Sequence, residues 1–197
     1  MVTESVDTTT EQHIVAARTR DTVAPTNYQV PFRNIRDVLA LHAKTSPKKA
    51  FLIYYDGEGN RSELTYAEFV ARVHQVANLL YEDLGIQRGD RVATLMHNHT
   101  DTVLIYFACW VIGAAVAPQN MAEDDTRIAY ILRNSGAKVC FAMHDYLERA
   151  ERIINSGAGG EGELGAPGVQ GIIQVSGEPQ DDYLHFHEAV RSRPTSF

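Results

Sequence analysis

The residues most able to do chemistry are the histidines that alternate with polar neighbours. His97-Asn98-His99 is followed by Asp101, and His185 and His187 flank Phe186 near the end of the chain. An alternating His pair on an extended segment has the spacing of two metal ligands, but neither pair has an identifiable third ligand. Both are therefore expected to be polar groups at the ends of strands, His185 and His187 at a strand-to-helix junction. The only two cysteines, Cys109 and Cys140, lie inside apolar runs (FACWVIGAAVA and AKVCFA) without Cys-x-x-Cys spacing. They are expected to be core thiols in a reducing cytoplasm. Spacing yields no Ser-His-Asp or Cys-His arrangement, because such triads are assembled in space.

Glycine-rich phosphate loops fail on their surroundings. Gly57-Glu58-Gly59-Asn60-Arg61-Ser62 lacks a third glycine and precedes a strand, where a dinucleotide fingerprint would open a helix, so a hairpin turn is expected. Ser135-Gly136-Ala137-Lys138 follows a helical stretch, where a glycine C-cap is required. Between Gly157 and Gly171 lie seven of the chain's 14 glycines and no Gly-Lys-Ser/Thr ending, the composition of a linker.

These residues need a scaffold, and the pattern supplies one. Residues 1–28 show no sustained period and are expected to be a flexible leader. A short helix follows Asn34 as N-cap, with Ile35, Val38 and Leu39 on one face and Ser46-Pro47 as its stop. Residues 50–55 and Ser62-Glu63-Leu64 around Asp56-Gly57-Glu58-Gly59-Asn60 predict a hairpin. Thr65-Tyr66-Ala67-Glu68 is a capping box that opens a helix with Tyr66, Phe69, Val73, Val76, Ala77, Leu80 and Leu84 inward and Arg72, Gln75, Asn78 and Glu82 elsewhere.

Arg91 to Met96 then predicts a strand, about Asp101 to Ile112 an interior helix ended by Gly113, and Ala114 to Pro118 a short buried strand. A helix capped by Asp124 or Asp125, a strand over Lys138 to Ala142, a helix over Tyr146 to Asn155 and a strand over Ile172 to Val175 complete the alternation. The fold class is α/β, a parallel-type sheet with a β-hairpin near the start.

Composition narrows the function. The 197 residues are 44% hydrophobic and 22% charged, as in an ordinary globular protein. A formal charge of −7 without a basic cluster argues against a nucleic-acid partner. The opening MVTESVDTTTEQH is no signal peptide, and the longest apolar stretch, Val103 to Pro118, is too short to span a bilayer. A cytoplasmic location is expected.

Four segments in order then resemble one family. Leu64-Thr65-Tyr66-Ala67-Glu68-Phe69 is similar to the early Leu-Thr-Tyr-x-Glu-Leu motif of the adenylate-forming superfamily, the acyl-CoA synthetases and their kin. Gly89-Asp90-Arg91-Val92-Ala93 through His97-Asn98 resembles its Gly-Asp-Arg-Val-Ala strand ending in Asn. Trp110 to Asn120 resembles the segment Lys-Ala-Gly-Ala-x-x-x-Pro-x-Asn, departing from it at Val111-Ile112, and Ile131 to Val139 resembles its Leu-x-x-Ser-Gly-Ala junction.

The resemblance implies a ligase that joins a carboxylic acid to AMP using Mg-ATP and passes the acyl group to coenzyme A. It also implies that residues 29–197 are only the amino-terminal subdomain, ending before the ATP-binding loop. The family's Ser/Thr/Gly-rich loop, its Tyr-Gly-x-Thr-Glu segment, ribose-binding Asp and catalytic Lys have no counterpart before Phe197. No catalytic residue, cofactor-binding residue or metal ligand carries over, and the chain alone is expected to be inactive, its partners being the remainder of the ligase, the acid and coenzyme A. His97 and Asn98 are the candidates for lining a substrate or coenzyme-A passage. The competing expectations are a non-catalytic interaction module that keeps the fold, and an unrelated small α/β enzyme with its site at His97 to Asp101.

Overall fold

The computed structural model describes residues 31–155 and 165–197. The chain divides into two units, residues 1–34 and 35–197. Of the first unit only residues 31–34 are described, and they contain no helix or strand; the expected leader over 1–28 lies outside the described residues. All elements named below belong to the second unit.

Helix α1 (Ile35–Thr45) leads into the hairpin of β1 (Ala50–Tyr55) and β2 (Arg61–Thr65), which pair antiparallel. Its turn is made by Asp56, whose carboxylate accepts from the backbone N–H groups of Glu58 (2.9 Å) and Asn60 (2.8 Å). Gly59 provides the positive φ of 85°. The capping box forms as expected at the start of α2 (Tyr66–Asn78): the Glu68 N–H donates to Thr65 Oγ1 (3.3 Å) and the Thr65 N–H donates to Glu68 Oε2 (2.9 Å). Phe51 of β1 anchors the hairpin, its ring 4.5 Å from Phe69 of α2 and 6.0 Å from Phe107.

Then come β3 (Arg91–Leu95), α3 (Thr100–Ile112), β4 (Ala115–Pro118), α4 (Asp125–Ser135), β5 (Val139–Ala142) and α5 (Leu147–Asn155). The chain closes with β6 (Gly171–Gln174), β7 (Leu184–His185) and α6 (Phe186–Arg191). The five strands form one parallel sheet in the order β4-β3-β5-β6-β7. Alternate side chains serve opposite faces. Val92, Val139 and Phe141 join the core under α2 and α3, while Ala93, Leu95, Cys140 and Ala142 join the core under α4 and α5. This two-faced burial explains why these strands read as continuous apolar runs.

One cluster of contacts sets β3 beside β5. The Arg91 guanidinium donates to the carbonyls of Ser135 (2.6 Å), Gly136 (3.0 Å) and Gly89 (3.1 Å), placing a cation at the carboxyl end of α4. Asp90 beside it accepts from Lys138 Nζ (2.8 Å) and from the Gln87 N–H (2.8 Å). Gly136 is the left-handed C-cap of α4, as expected, with φ 62°.

Three expectations are corrected. Ala114 to Pro118 is expected to be a short buried strand, but β4 is an edge strand with Ala115 and Pro118 exposed; an apolar run has the same appearance at an edge. The helix from about Asp101, apolar almost all round, is expected to be interior, but α3 starts at Thr100 and leaves Trp110 46% exposed. Asn78 was placed off the buried face of α2, yet it is 5% exposed because its amide donates to the carbonyls of Pro194 (2.9 Å) and Ser196 (3.0 Å). Gln75 likewise holds Arg193 O (3.1 Å), so the final residues lie along α2. The expected glycine-rich loop falls partly outside the described residues; within it, Gly165 and Ala166 donate to the carbonyls of Ile153 and Ile154.

A Cβ at Gly136 would stand 2.4 Å from Arg91 Nη2 and force a left-handed backbone on an L-residue. Gly136→Ala is therefore expected to destabilise the chain by about 1–2 kcal/mol from backbone strain alone, with a further loss from displacing Arg91. Gly57→Ala, which meets open space, should stay within about 0.5 kcal/mol. Urea denaturation of the two variants checks the contrast.

Candidate functional site

In a parallel sheet ligands collect where strand order reverses. Here β3 leads to β4 on one side while β5 leads to β6 on the other, so the reversal lies between the carboxyl ends of β3 and β5. His97 and Asn98 follow β3 and are exposed. Opposite them a single turn of 3-10 helix, His144–Tyr146, follows β5, and the His97 ring lies edge-on to Tyr146 with centroids 6.4 Å apart. The corner is held by Thr102 Oγ1, which donates to His97 O (2.8 Å), and by the His144 N–H, which donates to Ser176 Oγ (3.1 Å). Gly177, with φ 72°, lets its loop press on His144, where a Cβ would meet the ring at 2.6 Å. The crevice thus offers an imidazole, an amide and a phenol, groups that bind and orient a ligand.

His99 and Asp101 turn away from this crevice, dividing the segment that sequence spacing treated as one. His99 caps α3, its Nδ1 accepting from the Asp101 N–H (3.2 Å), and its ring meets Tyr54 of the hairpin (5.1 Å). Asp101 is 4% exposed. Its Oδ2 stands 3.2 Å from His99 Nδ1 and 3.1 Å from His187 Nε2 at the start of α6. Only the His187 contact can be ionic, when that ring is protonated, since His99 Nδ1 is an acceptor in the cap. Because His99 Nδ1 uses its lone pair in the cap, the proton that faces Asp101 is that of His187.

Burial pushes the Asp101 carboxyl up, but His187 and then His99 outweigh it and hold the group at about 2. Asp101 in turn raises His187 above the ordinary 6.5, against partial burial and the nearby Arg72. The pairing of Asp101 with His187 has no sequence signal, since the two residues sit on different helices far apart in the chain.

The remaining candidates are structural. Gly57 to Ser62 is the hairpin turn and its continuation, and Ser135-Gly136 is the α4 cap held by Arg91. Cys109 and Cys140 are buried in the two cores, and burial pushes each thiol up to about 12, so neither is a nucleophile at neutral pH. Among the described residues no three His, Cys, Asp or Glu side chains are arranged to hold a metal ion.

The signs of the two shifts define a window. Asp101 is depressed below 3.8, so its contribution to stability is present above that value and lost as pH falls toward about 2. His187 is raised above 6.5, so its contribution is complete below 6.5 and lost as pH climbs through its raised value. The pair is accordingly expected to stabilise most between pH 3.8 and 6.5. In Asp101→Asn the His187 ring should titrate near its ordinary value; ring-proton NMR over pH 5 to 9 reads this directly, and an unchanged titration would refute the pairing.

A model of the family described as "AMP-binding enzyme" matches residues 39–194. Long-chain fatty acid transport protein 2 of Rattus norvegicus is 31% identical over 124 residues, 63% of this chain and 19% of that protein. The mitochondrial acyl-coenzyme A synthetase ACSM4 of Mus musculus is 26% identical over 146 residues, 74% of this chain and 24% of its own length. The crystal structure of a Mycobacterium tuberculosis fatty acyl CoA synthetase superposes with a TM-score of 0.66 at 26% identity, over 83% of this chain and 29% of that one. The chain thus spans about a quarter or less of the two curated relatives, and its sheet and hairpin correspond to the amino-terminal part of such enzymes. With the match running through the hairpin, the switch point and α6, the chain belongs to the AMP-binding enzyme family.

Proposed function

We propose that this chain is the amino-terminal portion of an AMP-forming acid–thiol ligase. The whole enzyme would convert a carboxylic acid, ATP and coenzyme A to acyl-CoA, AMP and diphosphate. The observation that carries the reading is the family match over 39–194 together with the small share of each relative that the chain spans. In this reading residues 29–197 are the amino-terminal α/β subdomain, residues 1–28 precede it as a leader, and the ATP-binding loop belongs to a later segment. A cytoplasmic location is part of the same proposal; it is supported by two unpaired thiols and by the absence, among the described residues, of any helix long and apolar enough to cross a membrane.

Among the described residues no glycine-rich loop is free to cradle Mg-ATP. The glycines that resemble phosphate loops are committed, one set to a turn organised by Asp56 and the other to a cap filled by the Arg91 guanidinium. Adenylation places negative charge on the phosphates as the carboxylate attacks, and without preorganised cations and amide donors that charge has no support. The chain alone is therefore silent. Its contribution to the ligase is to line a passage: His97 and Asn98 stand at the mouth of the switch point, where an imidazole and an amide can orient an acid or the polar stem of coenzyme A.

Thermal unfolding of the chain with and without Mg-ATP is the primary test, since a ligand that binds only the folded state raises the melting temperature. No shift is expected; a clear shift would mean that a nucleotide site exists here. In the complete ligase, His97→Ala and Asn98→Ala are expected to raise KM for the acid or for coenzyme A several-fold with little change in kcat, as befits lost ground-state contacts. Steady-state kinetics showing unchanged KM for both substrates would remove these residues from the passage.

A further inference from the structure

Helix α2 runs on into a turn of π-helix, Leu79–Asp83, and the two together hold residues 193–197 by their backbone. Gln75 Nε2 donates to Arg193 O (3.1 Å), Asn78 Nδ2 to Pro194 O (2.9 Å) and Ser196 O (3.0 Å), and His74 Nδ1 to Thr195 O (3.0 Å). His74 and Gln75 stand four and three residues before Asn78, on one side of the helix, so a single face reads four successive carbonyls. A track that reads acceptors alone is indifferent to the side chains above it, and Pro194, with no N–H, fits it without loss. Selectivity comes from the two ends. The Arg193 guanidinium pairs with Asp83, with Glu82 at 3.9 Å, while the Phe197 ring lies under the Arg36 guanidinium (5.2 Å) and edge-on to Tyr81 (6.0 Å). None of residues 193–197 is buried, and Phe197 is 37% exposed. A segment held by exposed polar contacts opens at far lower cost than the core. Lifting it takes two acceptors from the buried Asn78 amide, a loss that another backbone can make good.

We propose that the His74–Gln75–Asn78 face of α2 is a peptide-binding track that residues 193–197 occupy in cis, and that a segment with an arginine and, four positions on, an aromatic residue displaces them in trans. The arginine meets Glu82 and Asp83, the aromatic ring meets Arg36 and Tyr81, and the residues between supply carbonyls only. Tethering gives the chain's own segment an effective concentration on the order of millimolar. The track is therefore self-occupied and admits a competitor once the cis segment is weakened. The site stands on residues of this chain alone and does not depend on the ligase reading.

The probe is the capped peptide acetyl-Arg-Pro-Thr-Ser-Phe-amide, titrated into the 197-residue chain while NMR follows the side-chain amide signals of Gln75 and Asn78. The parent should show no saturation below about 1 mM, and Arg193→Ala combined with Phe197→Ala should bind the peptide at least about tenfold tighter, because its own segment no longer fills the two ends. In that background Asn78→Ala should weaken the peptide about tenfold, the worth of two neutral hydrogen bonds. Gln75→Ala, at a half-buried position, should weaken it several-fold and reads the track by a second route. A peptide with Ala in place of Thr and Ser should bind as well as the probe, and one with Glu in place of Arg about tenfold more weakly. A strap with a purely structural role does not produce tighter binding in trans when its own contacts are removed. The proposal is overturned if the double variant binds no tighter than the parent, if neither the Asn78 nor the Gln75 variant weakens the peptide, or if the Glu-containing peptide binds equally.

Discussion

The arrangement depends most on the reach of Arg91. A guanidinium bound to three carbonyls from two separate stretches of chain can occupy only one place, and that place fixes the start of β3 against the end of α4. Lys138, immediately before β5, is tied to the neighbouring Asp90 and donates its amide to Arg91 O (2.9 Å). With the strand starts locked together, the register Val92 to Val139 through Leu95 to Ala142 follows, and the carboxyl ends of β3 and β5 are brought side by side. The switch point is thus positioned from the opposite end of the sheet. Two of the segments that identify the family, Gly89 to Ala93 and Ile131 to Val139, meet in this one clasp, so their charged residues act in architecture and not in chemistry.

The separation of roles extends to the histidines. His97 keeps an exposed ring at the switch point, whereas His99, two residues on, spends a nitrogen on the first turn of α3. On a regular strand residues two apart share a face, but β3 ends at Leu95 and the chain bends at Asn98 before His99 caps α3, which parts the two rings. That geometry places them in different environments and explains why they never converge on a common ligand. Asp101 is then left to His187, a residue that enters from α6 only after the sheet is complete.

What was legible in the sequence was local. The Thr65–Glu68 capping box, the Gly136 cap and the turn around Asp56 are decided by residues within a few positions of each other, and they form where the pattern places them. The apolar runs gave the strands for the same reason, since burial on both faces leaves no polar period to misread. What was not legible rests on distance in the chain. Asn78 looks like a surface residue until Pro194 and Ser196, 116 and 118 residues later, bring their carbonyls to it. The edge position of β4 is equally silent, because Ala-Val-Ala-Pro has no feature that tells a rim from a centre. The His97–Asn98 corner was visible as a strand end, but its partner Tyr146 became known only from the strand order.

The two cysteines have a practical consequence. Each lies in a different core, on either side of the sheet, with its thiol held protonated far above neutral pH. Since the thiolate is the reactive form, the folded chain is a blank for maleimides and other thiol-directed dyes. A single cysteine introduced at an exposed position would carry the entire signal, and labelling of the native pair would report unfolding of one face of the sheet or the other.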